Sequence, residues 1–304
     1  MLARGAEVIC IDNLVTGRLS NLGQMPNRSR LTVRRANVSD ALSVDGPVDA
    51  VLHFASPASP PDYLEHPVLT LDVGTIGTKR MLELALEKGA RFLMASTSEV
   101  YGDPEEHPQK ETYWGHVNSI GMRSVYDEAK RASEAYVMAY HRAHGLEVRI
   151  ARIFNTYGPR MRTDDGRAVP QFVTQALAET PFTVYGDGLQ TRSLCYVDDT
   201  IEGITRLLDS DYDLPVNIGN PHEVSMLELV HVVADVCGVD KGIEFHPLPE
   251  DDPKRRCPDI TVARRELGWE PTMSLEDGLH ATVAWLRNWE PELPAMPVAS
   301  AATG

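Results

Sequence analysis

Tyr126 and Lys130 stand four residues apart in the segment YDEAK, and on a helix that spacing puts both side chains on one face. A phenol with a pKa of about 10 is ionised at pH 7 only about one time in a thousand, a handicap of roughly 4 kcal/mol for a catalytic base. An ammonium beside it, together with the positive ring of a nicotinamide, favours the phenolate and removes much of that handicap. The chemistry on offer is removal of a hydroxyl proton while hydride leaves the same carbon. A lone Y-x-x-x-K is common by chance, so its weight rests on what surrounds it. His141 and His144, three apart further along, lack a third ligand and read as a solvated helix face, and no metal is expected.

These residues need a scaffold, and the chain patterns one. Apolar β-branched runs (EVICIDN, RLTVRRANV, DAVLHFAS, RFLMASTSEVYG, EVRIARIFNTYG) alternate with helical stretches. One is TLDVGTIGTKRMLELALEKG, with Leu71, Thr75, Thr78, Met81, Leu82 and Leu84 to Leu86 predicted on its inner face and Gly89 as cap; the other runs from Ser124 to Gly145. Strands alternating with helices predict an α/β fold with a parallel sheet. After Tyr157 the chain turns to Pro-, Gly- and Arg-rich loops joining short helices, which predicts a smaller C-terminal lobe. From Pro291 onward, residues 291–304 are short of aromatics and charge and are expected to be a disordered tail.

Composition narrows the function. The chain has 304 residues, 42% hydrophobic and 24% charged, with no apolar run near the roughly 18 residues that a membrane span needs. A net charge of −15 repels a nucleic-acid backbone. The start carries no secretory pattern, and Cys10, Cys195, Cys237 and Cys257 are scattered without a C-x-x-C pair. Reduced thiols in the cytoplasm are expected, with neither a zinc site nor a disulfide framework. Among the arginines, Arg160, Arg162 and Arg167 cluster, Arg192 sits beside a turn, and Arg255 and Arg256 are adjacent, so together they read as a candidate rim for an anionic substrate.

In a doubly wound dinucleotide-binding fold, a first strand, a Gly-rich turn and a helix precede a second strand ending in an acid. EVICIDN fits that second strand, with Asp12 placed for the adenosine ribose, and Met1 to Arg4 with Gly5 as cap fit only the end of the first helix. No G-x-x-G-x-x-G precedes it. The expectation is a Rossmann-type doubly wound sheet whose first strand and Gly-rich loop are missing, with weak or no binding of NAD by the chain as written.

The ordered motifs HFASPASPPDY, STSEVYGDP, YDEAK, RIFNTYGPRM, DDGR, VYGDGLQTRS, CYVDD and DDPKRR, over about residues 5 to 285, resemble bacterial UDP-glucuronate decarboxylases of the extended short-chain dehydrogenase/reductase family. The resemblance implies NAD as cofactor, UDP-glucuronate as substrate and a homodimer with a four-helix interface. It implies catalytic roles for Thr97, Ser98, Glu99, Tyr126, Lys130 and Arg256. Near the cofactor it places Asp12, Asn13 and Thr16 at and just after the end of EVICIDN, Asn37 and Val38 by the adenine, and Phe54, Ala55 and Ser56 at the end of DAVLHFAS. Ala95, Thr156 and Arg167 complete that set with the Tyr126–Lys130 pair. Asn155, Arg160, Tyr185, Arg192 and Arg256 are implied on the UDP-sugar side. Residues 1–153 with 195–218 would form the NAD-binding unit, and 154–194 with 219–290 the nucleotide-sugar lobe.

Ser98 discriminates within the family. Related 4,6-dehydratases carry an Asp-Glu pair at this strand end, the Asp serving as acid for a departing hydroxyl, and an ordinary serine hydroxyl supplies that proton poorly. 4-Epimerases usually have a small residue in place of Glu99. Decarboxylation is the expected reaction, with epimerase, dehydratase or a non-catalytic NAD-free subunit as alternatives. For Arg256, a tight clamp on the substrate carboxylate would stabilise the ground state, so orientation or proton delivery is expected. Gly74, where many relatives carry Asn, and Asp72, where some decarboxylases carry a base, depart from the family pattern.

Overall fold

The structure is a computed structural model that describes residues 1–23, 25–248 and 255–288; the expected tail at 291–304 lies outside the described residues. In the first half no described α-helix separates the first three strands, and the expected alternation of strand and helix begins only after β3: β1 (Val8–Asp12), β2 (Leu31–Arg35), β3 (Ala50–His53), α1 (Pro60–Glu65), α2 (Pro67–Asp72), α3 (Thr78–Lys88), β4 (Arg91–Thr97), α4 (Ser124–His144) and β5 (Val148–Ile153). Gly89 and Gly145 close α3 and α4 in the left-handed conformation. The second half is shorter-limbed: β6 (Thr156–Tyr157), α5 (Ala168–Leu177), β7 (Phe182–Tyr185), β8 (Thr191–Ser193), β9 (Cys195–Tyr196) and α6 (Val197–Asp209). It ends with β10 (Pro215–Ile218), β11 (Glu223–Ser225), α7 (Met226–Cys237), β12 (Ile243–His246), α8 (Thr261–Leu267) and α9 (Leu275–Arg287).

The main sheet is parallel, in the order β10-β5-β4-β3, with Phe92 opposite Val148 and Thr97 opposite Ile153. Its central strand β4 is apolar on both faces from Phe92 to Ala95, as a sheet covered on two sides requires. Phe92, Met94, Val148 and Ile150 point into one core with Met81, Leu82 and Val137 of α3 and α4. Leu93 and Ala151 point the other way, toward Ile204 and Leu207 of α6 and toward Ile260, Ala263 and Trp269. Phe92, Leu93 and Met94 are fully buried, each worth roughly 1.5–3 kcal/mol of transfer free energy. β1 and β2 form a separate parallel pair, Val8 opposite Leu31. The doubly wound order sets a further strand between β1 and β3, and among the described residues no strand bridges them.

The helix expected through TLDVGTIGTKRMLELALEKG is not one uniform α-helix: a π turn over Val73–Gly77 joins α2 to α3. Gly74 explains the departure from the family's Asn. A Cβ there would lie 2.6 Å from that of Ala129 on α4, and the Gly74 carbonyl accepts a 2.6 Å bond from the Ser133 hydroxyl. Leu71 and Leu86, expected on the inner face, are instead exposed, because the wider i→i+5 turn under-winds the helix relative to a constant 3.6-residue period. A second core gathers Phe172 and Val173 of α5, Val184 of β7, Leu229 and Val233 of α7, and Leu279 of α9.

Candidate active site

The site forms where β4 ends. Thr97 accepts the Glu99 N–H through its hydroxyl at 3.3 Å, starting a 3-10 turn over Ser98–Tyr101 that turns Glu99 out of the strand line. Ser98 is buried within that turn. Across from it α4 presents Tyr126 and Lys130, both buried, one helical turn apart. The Lys130 Nζ donates to the Ala95 carbonyl at 2.9 Å and lies 5.7 Å from the centre of the Tyr126 ring. The Tyr126 phenol hydrogen-bonds Thr97 and stacks on Tyr63 of α1, with ring centres 5.3 Å apart and planes 7° from parallel.

The electrostatics differ from the sequence expectation in one respect. Burial pushes the Tyr126 phenol above its ordinary value, and the negative Glu99 adds to the rise, while Thr97 and the charge of Arg167 act against it. Lys130 does not overturn this, since burial pushes its own ammonium down to about 8 and one of its three N–H donors is engaged by the Ala95 carbonyl. The remaining positive charge that a phenolate needs must come from a bound group.

Glu99 lies between two guanidiniums. One oxygen takes a hydrogen bond from Arg256 Nη1 and the other accepts from Arg123 Nη2 at 2.9 Å. Burial works against the charge, but Arg256 and Arg123 outweigh it and hold the Glu99 carboxyl well below the usual carboxylate range. Arg256 also donates to the Gly102 carbonyl at 3.3 Å. A carboxylate held this way stays ionised and stores a proton poorly. Asp127, next to Tyr126, is the opposite case: burial first, then the Glu99 charge, pushes it up to about 7. The hydroxyl of Tyr63, one oxygen of Asp127 and the Nε of Arg256 are buried without a hydrogen-bond partner. Buried polar atoms are normally satisfied, so these mark where ligand or water atoms belong.

The structure thus brings together Thr97, Ser98, Glu99, Tyr126, Lys130, Ala95 and Arg256, and sets the charge of Arg167, paired with Asp165, near enough to act on Tyr126. At the other end, Asp12 closes β1 with its carboxylate accepting the Leu14 N–H at 2.7 Å. Asn13 caps the Val15 N–H, and the Thr16 carbonyl accepts from Arg162, which pairs with Asp62 of α1. Asn37 caps the Ser39 N–H, Val38 packs against Gly77, and Phe54, Ala55 and Ser56 follow β3. The Thr156 hydroxyl donates to the Phe154 carbonyl beside the strand ends. Of the residues expected on the substrate side, Asn155 receives the Cys195 N–H on its carbonyl, Arg192 is half-buried on β8, and Arg160 and Tyr185 are exposed. A cleft of about 550 Å³ lined in part by Met1, Ala50, Gly89 and Arg91 lies at the opposite, N-terminal ends of β3 and β4, away from this chemistry.

Sequence reasoning missed Arg123, Tyr63 and Asp127. Arg123 stands three residues before Tyr126, a spacing that shares its helical face, and Asp127 sits inside the quoted YDEAK; the partner that makes both matter, Glu99, is remote in sequence.

Strand-end polar residues on a parallel sheet, with a tyrosine and lysine one turn apart beneath them, define a Rossmann-type member of the extended short-chain dehydrogenase/reductase class. The comparisons agree. The family model for GDP-mannose 4,6 dehydratase matches residues 1–282. UDP-glucuronic acid decarboxylase 1 of Arabidopsis thaliana is 53% identical over 95% of this chain and 66% of its own length; UDP-glucuronic acid decarboxylase 6 of the same plant is 50% identical over 90% and 79%. Among solved structures, the UDP-glucose 4-epimerase of Thermotoga maritima superposes with TM-score 0.86 at 28% identity, covering 94% of this chain and 92% of that one. The dTDP-glucose 4,6-dehydratase DesIV of Streptomyces venezuelae, solved with NAD bound, gives TM-score 0.85 at 31% identity, covering 94% and 90%. The chain belongs to the GDP-mannose 4,6-dehydratase family, and within it to the UDP-glucuronic acid decarboxylases. It spans just under two-thirds of the length of the first of these relatives.

Proposed function

We propose that this chain carries the chemistry that converts UDP-glucuronate to UDP-xylose and CO2. The observation that carries the reading is the strand-end pair Ser98–Glu99, with Glu99 ionised between Arg256 and Arg123 and with Tyr126 close by. Ser98 offers no acid for dehydration, and the decarboxylases named above support the choice among reactions.

NAD fits at two ends: Asp12, Asn37 and Val38 would hold the adenosine, and Tyr126 and Lys130 the nicotinamide ribose. Residues 1–304 contain no G-x-x-G-x-x-G turn to cradle its diphosphate. When bound, NAD supplies reversible hydride acceptance at the sugar C4. Tyr126 takes the C4 hydroxyl proton. With a ketone at C4, the C6 carboxylate is β to a carbonyl; the C5–C6 bond breaks, CO2 leaves and the electron pair enters the ketone as an enolate. A proton from solvent reaches C5 on the side of Glu99, and protonated Tyr126 donates to the C4 oxygen as the hydride that bound NAD would carry returns to C4. The sum is UDP-glucuronate plus one proton giving UDP-xylose and CO2. Arg256, engaged with Glu99, orients that side of the site without a two-point grip on the carboxylate that must lose its charge.

We also infer a homodimer through α2, α3 and α4, where Val68, Leu71, Ile76 and Tyr136 leave apolar surface exposed. The four free cysteines fit a reducing cytoplasm, and no described helix is long and apolar enough to cross a membrane. Residues 1–153 with 195–218 and residues 154–194 with 219–290 are read as cofactor and substrate units, although Ile260, Ala263 and Trp269 pack on the main sheet. UDP-glucuronate labelled at C6, incubated with the chain at saturating NAD+, tests the reaction: label should leave as CO2, whereas label retained in a 4-epimer would mark an epimerase.

A further inference from the structure

His107, Glu223 and Cys257 come from three separate segments, and one ligand atom from each falls within 4.8 Å of the others. His107 Nε2 and Glu223 Oε2 are already 2.8 Å apart. A tetrahedral zinc-class ion bonds nitrogen and oxygen at about 2.0–2.2 Å and sulfur at about 2.3 Å, so a small adjustment of the three side chains closes a shell around one ion. We propose that these residues form a binding site for a divalent cation of the zinc class, with three protein ligands and a fourth position open to water.

The surroundings are built to hold the ligands. Glu223 is fixed on β11 and its second oxygen accepts the Thr191 hydroxyl at 2.6 Å, the outer support that metal-bound carboxylates use. Gln109 is fully buried and couples the other two: its side-chain oxygen accepts the Cys257 N–H at 2.8 Å, and its own N–H donates to the Cys257 carbonyl at 2.8 Å, two residues after His107. The Cys257 thiol is buried and now donates to the Pro221 carbonyl at 3.3 Å, while His107 is exposed and gives the ion an entry route. On binding, the thiol proton passes to solvent, the Glu223–His107 hydrogen bond is exchanged for two metal bonds, and thiolate plus carboxylate neutralise the ion's charge. The scattered ligands explain why no spacing motif announced the site.

Its consequence is positional. Cys257 directly follows Arg256, and the Ser193 N–H donates to the Arg256 carbonyl at 3.3 Å while Glu223 pairs with Ser193 across β8 and β11. An ion here staples the backbone that presents Arg256 to Glu99 without touching substrate.

The test uses the full chain stripped of metal by chelator and titrated with Co2+ and then Zn2+. The expected result is one Co2+ per chain with a thiolate-to-cobalt charge-transfer absorption, displaced by one Zn2+. The band should vanish in Cys257→Ser, and His107→Gln, altered at the exposed ligand and expected to fold normally, should weaken binding by about tenfold or more. No charge-transfer band in the parent, a band that survives in Cys257→Ser, or unchanged affinity in His107→Gln would overturn the proposal.

Discussion

Replacing Glu99 with glutamine tests the charge arrangement at the strand end. Glu99 meets Arg256 with one oxygen and Arg123 with the other, and the side chains are 15% exposed for Glu99 and 5% for Arg256. Glutamine keeps one acceptor but turns an N–H toward the other guanidinium and removes the carboxylate charge that both arginines face. Removing one member of a buried ion pair costs about 3–5 kcal/mol, and at about 2–4 °C per kcal/mol for a chain of this size class, Glu99→Gln should melt roughly 10 °C below the parent at pH 7. The difference must also depend on pH. The folded carboxyl is held below its unfolded value of about 4.3, so its stabilisation is complete above that pH and is lost as pH falls toward the folded value. Calorimetric melts of parent and variant should therefore converge below about pH 4. A parent–variant gap within about 2 °C at pH 7, or one constant down to pH 3, would refute the reasoning. In single turnover, the same variant should slow CO2 release more than the initial reduction of nicotinamide, followed by NADH absorbance, and equal slowing of both would remove its special role.

Tyr126→Phe should cut turnover by roughly 100- to 10,000-fold while leaving the melt and UDP-sugar binding near the parent's, since the stack on Tyr63 survives; activity within about threefold of the parent contradicts a base at this position. Sedimentation should find a dimer at micromolar concentration, and a charge placed at Ile76, exposed on the π turn, should shift it toward monomer. Calorimetry on residues 1–304 should show NAD+ binding much weaker than micromolar, because no glycine turn in this sequence supplies backbone N–H groups to the diphosphate; micromolar affinity contradicts that reading.

Local periodicity made the scaffold readable. β4 and β5 were legible as apolar β-branched runs, and the shared face of Tyr126 and Lys130 followed from helical spacing alone. Gly5, Gly89 and Gly145 announced helix ends and do adopt the left-handed conformation. What escaped depends on long-range closure. Glu99 and Arg256 were each singled out, yet nothing in their spacing shows that they meet, and Arg123 had no signal until Glu99 was placed beside it. The π turn at Val73–Gly77 escaped because its cause, the close approach of Gly74 to Ala129, belongs to a different helix. The His107–Glu223–Cys257 cluster escaped for the same reason.

The reaction itself is tested most directly by running it in D2O. If CO2 leaves from a C4-keto sugar and the enolate is protonated at C5 beside Glu99, then the chain, supplied with UDP-glucuronate and saturating NAD+, should form UDP-xylose with one solvent deuterium at C5, visible by NMR. A 4-epimer of UDP-glucuronate without solvent deuterium, or UDP-xylose unlabelled at C5, would contradict the account.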